Sequence, residues 1–274
     1  MSDSALSAWS LDRPVADDPV NWPAPITREW AWQGSDGDGI RVCVLDSGVD
    51  GEHPAVGGLA DRVLICADEA ADEPGIPVIS ADDEPDVSGH GTACASVIRS
   101  QAPGCVISSG RVLGPGGTGR GADLIAGVRW AVRQRFDVVN VSLSTTRPKF
   151  VAALYQLADE AYFAGTLLVA SAHNMPVISY PWHFASVVSV GSHDRPDPLE
   201  FHYNANPPVE FFARGEDVEV AWPGGGHVKA SGNSLATPHI TGLCALIRAK
   251  HPQLTPFEVK TVLRATATNQ PGVS

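Results

Sequence analysis

The run Ile40-Arg41-Val42-Cys43-Val44-Leu45-Asp46-Ser47-Gly48 is a short apolar stretch that ends in a carboxylate and a turn. A continuous apolar run closed by Ser-Gly describes a buried strand followed by a turn. Asp46 then emerges at the strand's carboxyl end, the usual site edge of an open α/β sheet. Two further segments share this design. His90, framed by glycines in Ser88-Gly89-His90-Gly91-Thr92, opens a helical pattern, and Ser234 in Ser231-Gly232-Asn233-Ser234-Leu235-Ala236-Thr237-Pro238 starts another. A helix N-terminus favours negative charge developing near Ser234. Singly, these are a turn aspartate, a structural histidine and an N-cap serine. In the chain order Asp, His, Ser they offer a hydroxyl, an imidazole to take its proton, and a carboxylate to fix the imidazole's tautomer. That combination is what makes a serine nucleophilic near neutral pH.

Outward from these segments the chain alternates strands with helices. Residues 106–113, 138–143, the end of 165–171 and 186–190 read as strands or short buried runs, and residues 90–99, 122–135, 151–164 and 234–251 read as helices. Pro238 is tolerable because it falls in a first turn. Thr255, Pro256 and Glu258 supply an N-cap, a first-position proline and a capping box for a last helix. The alternation predicts a three-layer α/β fold, with a mostly parallel central sheet covered by helices on both faces. Residues 1–35 carry Pro, Trp and Asp without a sustained period, and read as an N-terminal arm lying extended across the body, pinned by Trp22, Trp30 and Trp32. Residues 36–274 then form one domain. Within it, residues 67–88 are acidic and proline-bearing and read as a surface excursion.

Of 274 residues, 43% are hydrophobic, enough for a large core, and the formal charge is −12. That balance argues against a nucleic-acid partner, which needs a basic stripe, and favours plain solubility. No run approaches the ~18 apolar residues of a membrane span. The five cysteines are scattered without CxxC spacing, with Cys43 and Cys244 in apolar runs that read as buried thiols. The opening Met1-Ser2-Asp3-Ser4-Ala5 has neither a basic n-region nor an apolar h-region. A cytoplasmic protein is expected on these grounds, although a trimmed secreted form would read the same.

The three motifs, in their order and with their flanks, resemble the subtilisin-like serine proteases from about Gly39 to about Thr268. The resemblance implies an endopeptidase acting through an acyl-enzyme at Ser234, with His90 as base and Asp46 as its orienting carboxylate. It also implies an oxyanion donor, because acyl transfer needs hydrogen bonds aimed at the tetrahedral oxygen. Leu167-Leu168-Val169-Ala170-Ser171-Ala172-His173-Asn174 is similar to the family stretch ending in that donor, so Asn174 is expected in the role with the Ser234 N–H. Ser142-Leu143-Ser144 is similar to the strand beside the scissile residue. Gly117-Thr118-Gly119 is similar to a second edge that clamps an extended peptide or protein substrate by main-chain pairing. Tyr180-Pro181 is similar to a cis pair in the specificity loop.

Several positions depart from the family pattern. Ser144, Thr145 and His173 stand where glycine is usual, so the pocket for the residue before the cut is expected to be narrowed, with His173 as its roof. Asn233 replaces a usual threonine. Ala55, in Asp50-Gly51-Glu52-His53-Pro54-Ala55, stands where many relatives supply a calcium ligand. The acidic run Asp82-Asp83-Glu84-Pro85-Asp86 lacks EF-hand order and reads as a solvated loop. No cofactor is therefore expected, with calcium at the acidic run the one alternative left open. The same triad would serve a peptide ligase or macrocyclase if an amine released the acyl group. A non-catalytic peptide-binding domain with a blocked pocket is the alternative of a different class. No pattern addresses oligomeric state. An α/β-hydrolase esterase is disfavoured, since Gly232-Asn233-Ser234-Leu235-Ala236 lacks the second glycine of GxSxG.

Overall fold

Strand β1 (Arg41–Asp46) has five fully buried residues after Arg41, as a strand covered on both faces requires. The computed structural model, which describes residues 20–271, shows what covers it. Val42 and Val44 point to one face, against Cys94 and Ile98 of α2 (His90–Gln101) and residues 236–247 of α5 (Asn233–Lys250). Cys43 and Leu45 point to the other, against α3 (Gly121–Arg133) and α4 (Val151–Ala164). The α6 helix (Pro256–Thr266) joins the first layer, and its predicted capping box between Thr255 and Glu258 is formed.

Among the described residues the central sheet has nine strands. Flanking β1 are β4 (Val106–Arg111) and β5 (Val138–Val141), both parallel to it. From β4 the sheet runs out to β2 (Arg62–Ala67) and β3 (Pro77–Ala81), the last pair antiparallel. From β5 it runs through β6 (Leu167–Ser171), β7 (Val188–His193) and β9 (Phe211–Arg214), all parallel, to an antiparallel β8 (Phe201–Tyr203). The sheet is mostly parallel, with an antiparallel strand at each edge, in the three layers predicted. The order places a topological switch at β1, where the chain turns first toward β4 and then back across to β5. Crevices for ligands form outside the carboxyl ends of strands at such a point. A separate hairpin, β10 (Val218–Trp222) with β11 (Gly226–Ala230), packs on the exposed side of α2 through Val218 and Val220.

The acidic excursion is more structured than a surface loop, since it contains β3 and part of β2. It is tied down by Asp82, which is buried and accepts both arms of the Arg111 guanidinium at 2.7 and 2.9 Å. Of the N-terminal arm, residues 1–19 lie outside the described residues. The remainder is not extended throughout: Thr27 caps a short helix, α1 (Arg28–Ala31). Trp30 stacks on His251 with ring centroids 4.1 Å apart, Trp22 lies 5.7 Å from Trp30, and Trp32 is buried against Phe201. All five cysteines are free, and burial pushes the thiol of Cys105 up to about 11 and that of Cys244 up to about 12.

Candidate active site

Asp46, at the end of β1, is fully buried, and Ser47 N–H donates to its Oδ1 at 2.8 Å. Both carboxylate oxygens lie 2.9 Å from His90 Nδ1, and His90 Nε2 lies 2.9 Å from Ser234 Oγ. A carboxylate can only accept, so Nδ1 carries the proton and Nε2 is left to receive one from Ser234. The facing Asp46 charge holds the His90 imidazole well above its ordinary pKa, against the opposing effect of burial. Gly91 lets α2 come this close: a Cβ there would lie 1.9 Å from Gly48 O.

Asp86 holds the start of α2. Its Oδ1 accepts from Ser47 Oγ and from the N–H groups of Ser88 and Gly89, and its Oδ2 from Thr92 N and Oγ1. One carboxylate thus binds donors of the first turn that would otherwise lack partners, and complements the helix dipole beside His90. In the acidic run around it Asp83 and Glu84 are exposed, as a solvated loop requires, whereas Asp82 is buried and Asp86 half-buried. Asp82 and Asp86 are already taken by Arg111 and by α2.

Ser234 is the second residue of α5, which begins one residue earlier than the sequence suggested. Gly232 precedes the helix with φ 155° and ψ 159°, a backbone geometry open essentially to glycine alone. Asn174, just beyond β6, accepts from Asn233 N–H through Oδ1 at 3.0 Å. The other end of the amide lies on the nucleophile's side of Gly232: a Cβ placed on that glycine would lie 3.5 Å from both Asn174 Nδ2 and Ser234 Oγ. Asn233, which stands in the place of a usual threonine, is hydrogen-bonded at both ends of its amide. Its Oδ1 accepts from Ser192 N–H, and its Nδ2 donates to the carbonyls of Ala172 and His173, so it clamps the start of α5 to the ends of β6 and β7.

The expected substrate edges flank this centre. Gly117, Thr118 and Gly119 are exposed, and Thr118 O accepts from Gly114 N–H at 2.7 Å. Leu143 and Ser144 follow β5 and are half-buried. Ser144 Oγ accepts from Ser179 Oγ, which in turn accepts from Trp182 Nε1, and Thr145 pairs antiparallel with Tyr180. The Tyr180–Pro181 peptide is cis, as expected. His173 is half-buried, and its Nδ1 accepts from Met175 N–H at 2.9 Å. Ser142, expected on the substrate edge for its main chain, uses its side chain elsewhere. The hydroxyl turns into the body and donates to the Ser234 carbonyl at 2.9 Å. Asn140 Nδ2 donates to that same Oγ, and Thr241 of α5 donates to Asn140 Oδ1. Cys94, which sequence reasoning passed over, is buried with Sγ 3.6 Å from both Ser142 Oγ and Ser234 O. Its place one helical turn after His90 was the available signal.

A hydroxyl, base, acid and amide in this order define the machinery of a serine hydrolase, and the comparisons specify which. A sequence profile of the subtilase family matches residues 37–274. Subtilisin of Bacillus pumilus is 29% identical over 251 residues, covering 86% of both chains. M-protease of Shouchella clausii is 30% identical over 271 residues, covering 95% of this chain and 64% of its own. Subtilisin E of Bacillus subtilis is likewise 29% identical, and the chain spans 62% of its length. Among solved structures, a cold-adapted subtilisin-like serine proteinase superposes with a TM-score of 0.70 at 29% identity, covering 88% of this chain and 86% of that one. The S41 psychrophilic protease gives 0.68 at 26%, covering 85% and 84%. The chain belongs to the subtilase family and is, by class, a subtilisin-like serine protease.

Proposed function

We propose that this protein is an endopeptidase that cleaves extended peptide segments through an acyl-enzyme at Ser234. The observation that carries the reading is the aligned chain of short contacts from Asp46 through His90 to Ser234 Oγ. His90 takes the hydroxyl proton as Ser234 attacks, and Asp46 stabilises the resulting imidazolium. Asn174 Nδ2 and the Ser234 N–H bind the developing oxyanion, and His90 then returns the proton to the leaving amine. The chemistry calls for no cofactor. The exposed Gly117–Gly119 stretch and the backbone after β5 suit an added substrate strand.

A dedicated precursor peptide in a reducing, cytoplasmic setting is the proposed context. The five unpaired thiols support the setting, and the side chains of Ser144 and His173 in place of the usual glycines support a restricted substrate. Amino-terminal profiling of a proteome treated with wild-type protein and with Ser234→Ala tests the reading. New amino termini that depend on Ser234 support hydrolysis. Joined or cyclic products in their place would assign the ligase chemistry instead, and no Ser234-dependent product of either kind would favour a binding domain.

A further inference from the structure

Between the two substrate edges lies a cavity of about 650 Å³, bounded by Gly119 on one side and by Ser144 and His173 on the other. Its floor is the Phe150 ring, which reaches this position because residue 121 is glycine: a Cβ there would lie 2.3 Å from Phe150 Cδ2. Cations line the rim. Arg120 is already neutralised, paired with Asp123 at 2.8 Å and also with Glu69. Arg147 and Lys149 are both exposed, and neither has an ion-pair partner among the described residues. Lys149 Nζ lies 4.9 Å from the centre of the Phe150 ring, which holds its charge over the floor. Two uncompensated cations gathered at one groove stand out on a chain of net charge −12.

We infer that this groove selects substrates carrying an acidic side chain a few residues before the scissile bond. The inference rests on the peptidase reading, in which His173 and Ser144 border the pocket for the residue before the cut. The cavity then extends from that pocket along the acyl portion of the peptide. A carboxylate entering it meets Arg147 and Lys149, with the guanidinium able to grip both oxygens. The same charges repel basic peptides, and the acidic remainder of the surface does not compete within the groove, so selection is by attraction and exclusion together.

The test is a set of internally quenched peptides, identical except that each position before the cut carries Glu, Gln or Lys in turn. They are compared for wild type, Arg147→Ala, Lys149→Ala and Arg147→Glu/Lys149→Glu. At one position kcat/KM should rank Glu over Gln over Lys, with about two- to fivefold per cation, and the span should shrink in 1 M salt. Each alanine variant should narrow the Glu-to-Lys ratio, and the double glutamate variant should invert it. The ratio is taken within each enzyme, so a poorly folded variant scales both rates alike. Labelling of Ser234 by a fluorophosphonate together with a flat charge profile, with a ratio that survives the double variant, or with no cleavage in the set overturns the acidic preference alone. Absence of both labelling and cleavage overturns the peptidase reading and this inference with it.

Discussion

Replacing Ser142 by Ala should damage catalysis without touching a substrate contact, because of Pro238. Pro238 is the sixth residue of α5, inside the helix and not in its first turn as the sequence suggested; the carbonyl of Ser234 would there accept from the N–H of residue 238, and a proline has none. Ser142 Oγ supplies the missing donor at 2.9 Å, is oriented by Asn140 Nδ2 at 3.0 Å, and Asn140 is held by Thr241 three residues beyond the proline. The first turn of α5, which carries the nucleophile, is thereby bonded to β5. Ser142→Ala leaves Asn140 Nδ2 unpaired and the Ser234 carbonyl with only the weak Cys94 thiol. Buried groups so deprived cost about 1–3 kcal/mol each, so denaturant unfolding should show a loss of about 2–4 kcal/mol. Misplacing a nucleophile by about 1 Å can cost roughly a hundredfold. We expect kcat, and the rate of fluorophosphonate modification, to fall about ten- to a hundredfold with KM little changed. Pro238→Ala restores an N–H and should rescue Ser142→Ala by about 1 kcal/mol, while on its own it only loosens packing. An undiminished kcat in Ser142→Ala, or a double variant no better than the single, would refute the reasoning.

Four further outcomes are expected. Asn174→Ala should lower kcat about 10²–10³-fold with little change in KM, the size known for this kind of donor in subtilisin itself; a change in KM alone would make it a substrate contact. His90 must be neutral to act, and Asp46 holds its pKa above the ordinary 6.5, so the acid limb of the kcat/KM profile should lie above that value and move down in Asp46→Asn. By linkage, the His90–Asp46 attraction stabilises the fold fully below about pH 6.5, and that contribution is lost as pH rises through the elevated pKa; a denaturation series against pH, compared with Asp46→Asn, reads it. His173→Gly should raise cleavage after Phe or Tyr relative to Ala, since pocket volume discriminates at about 1–3 kcal/mol per methylene; equal ratios in a peptide library would remove His173 from the pocket roof.

What could be read from the chain depended on whether its cause was local. Strands β1, β5 and β6 are buried on both faces and therefore appear as apolar runs. Strand β3 is an edge with almost every residue exposed and lies within what reads as a surface excursion, and β11 lies on the surface without a buried face that a sequence pattern would mark. The triad was legible because each member sits among glycines and small residues that its position requires. Ser142 and Asp86 were not legible in their actual roles. The first acts on an α5 carbonyl made needy by Pro238, and the second caps α2 from within a run whose charges suggest solvent. Both depend on which distant elements the sheet order brings together. The Arg111–Asp82 fork is of the same kind, linking β4 to the end of β3.

The central claim is that Ser234 is a nucleophile activated by His90 and Asp46. A fluorophosphonate probe, with the modified peptide located by mass spectrometry, measures this directly. We predict stoichiometric modification at Ser234 in the wild type, none in Ser234→Ala, and a rate lowered by orders of magnitude in His90→Ala although the fold is retained. Modification at another residue, or equal rates in wild type and His90→Ala, would contradict it.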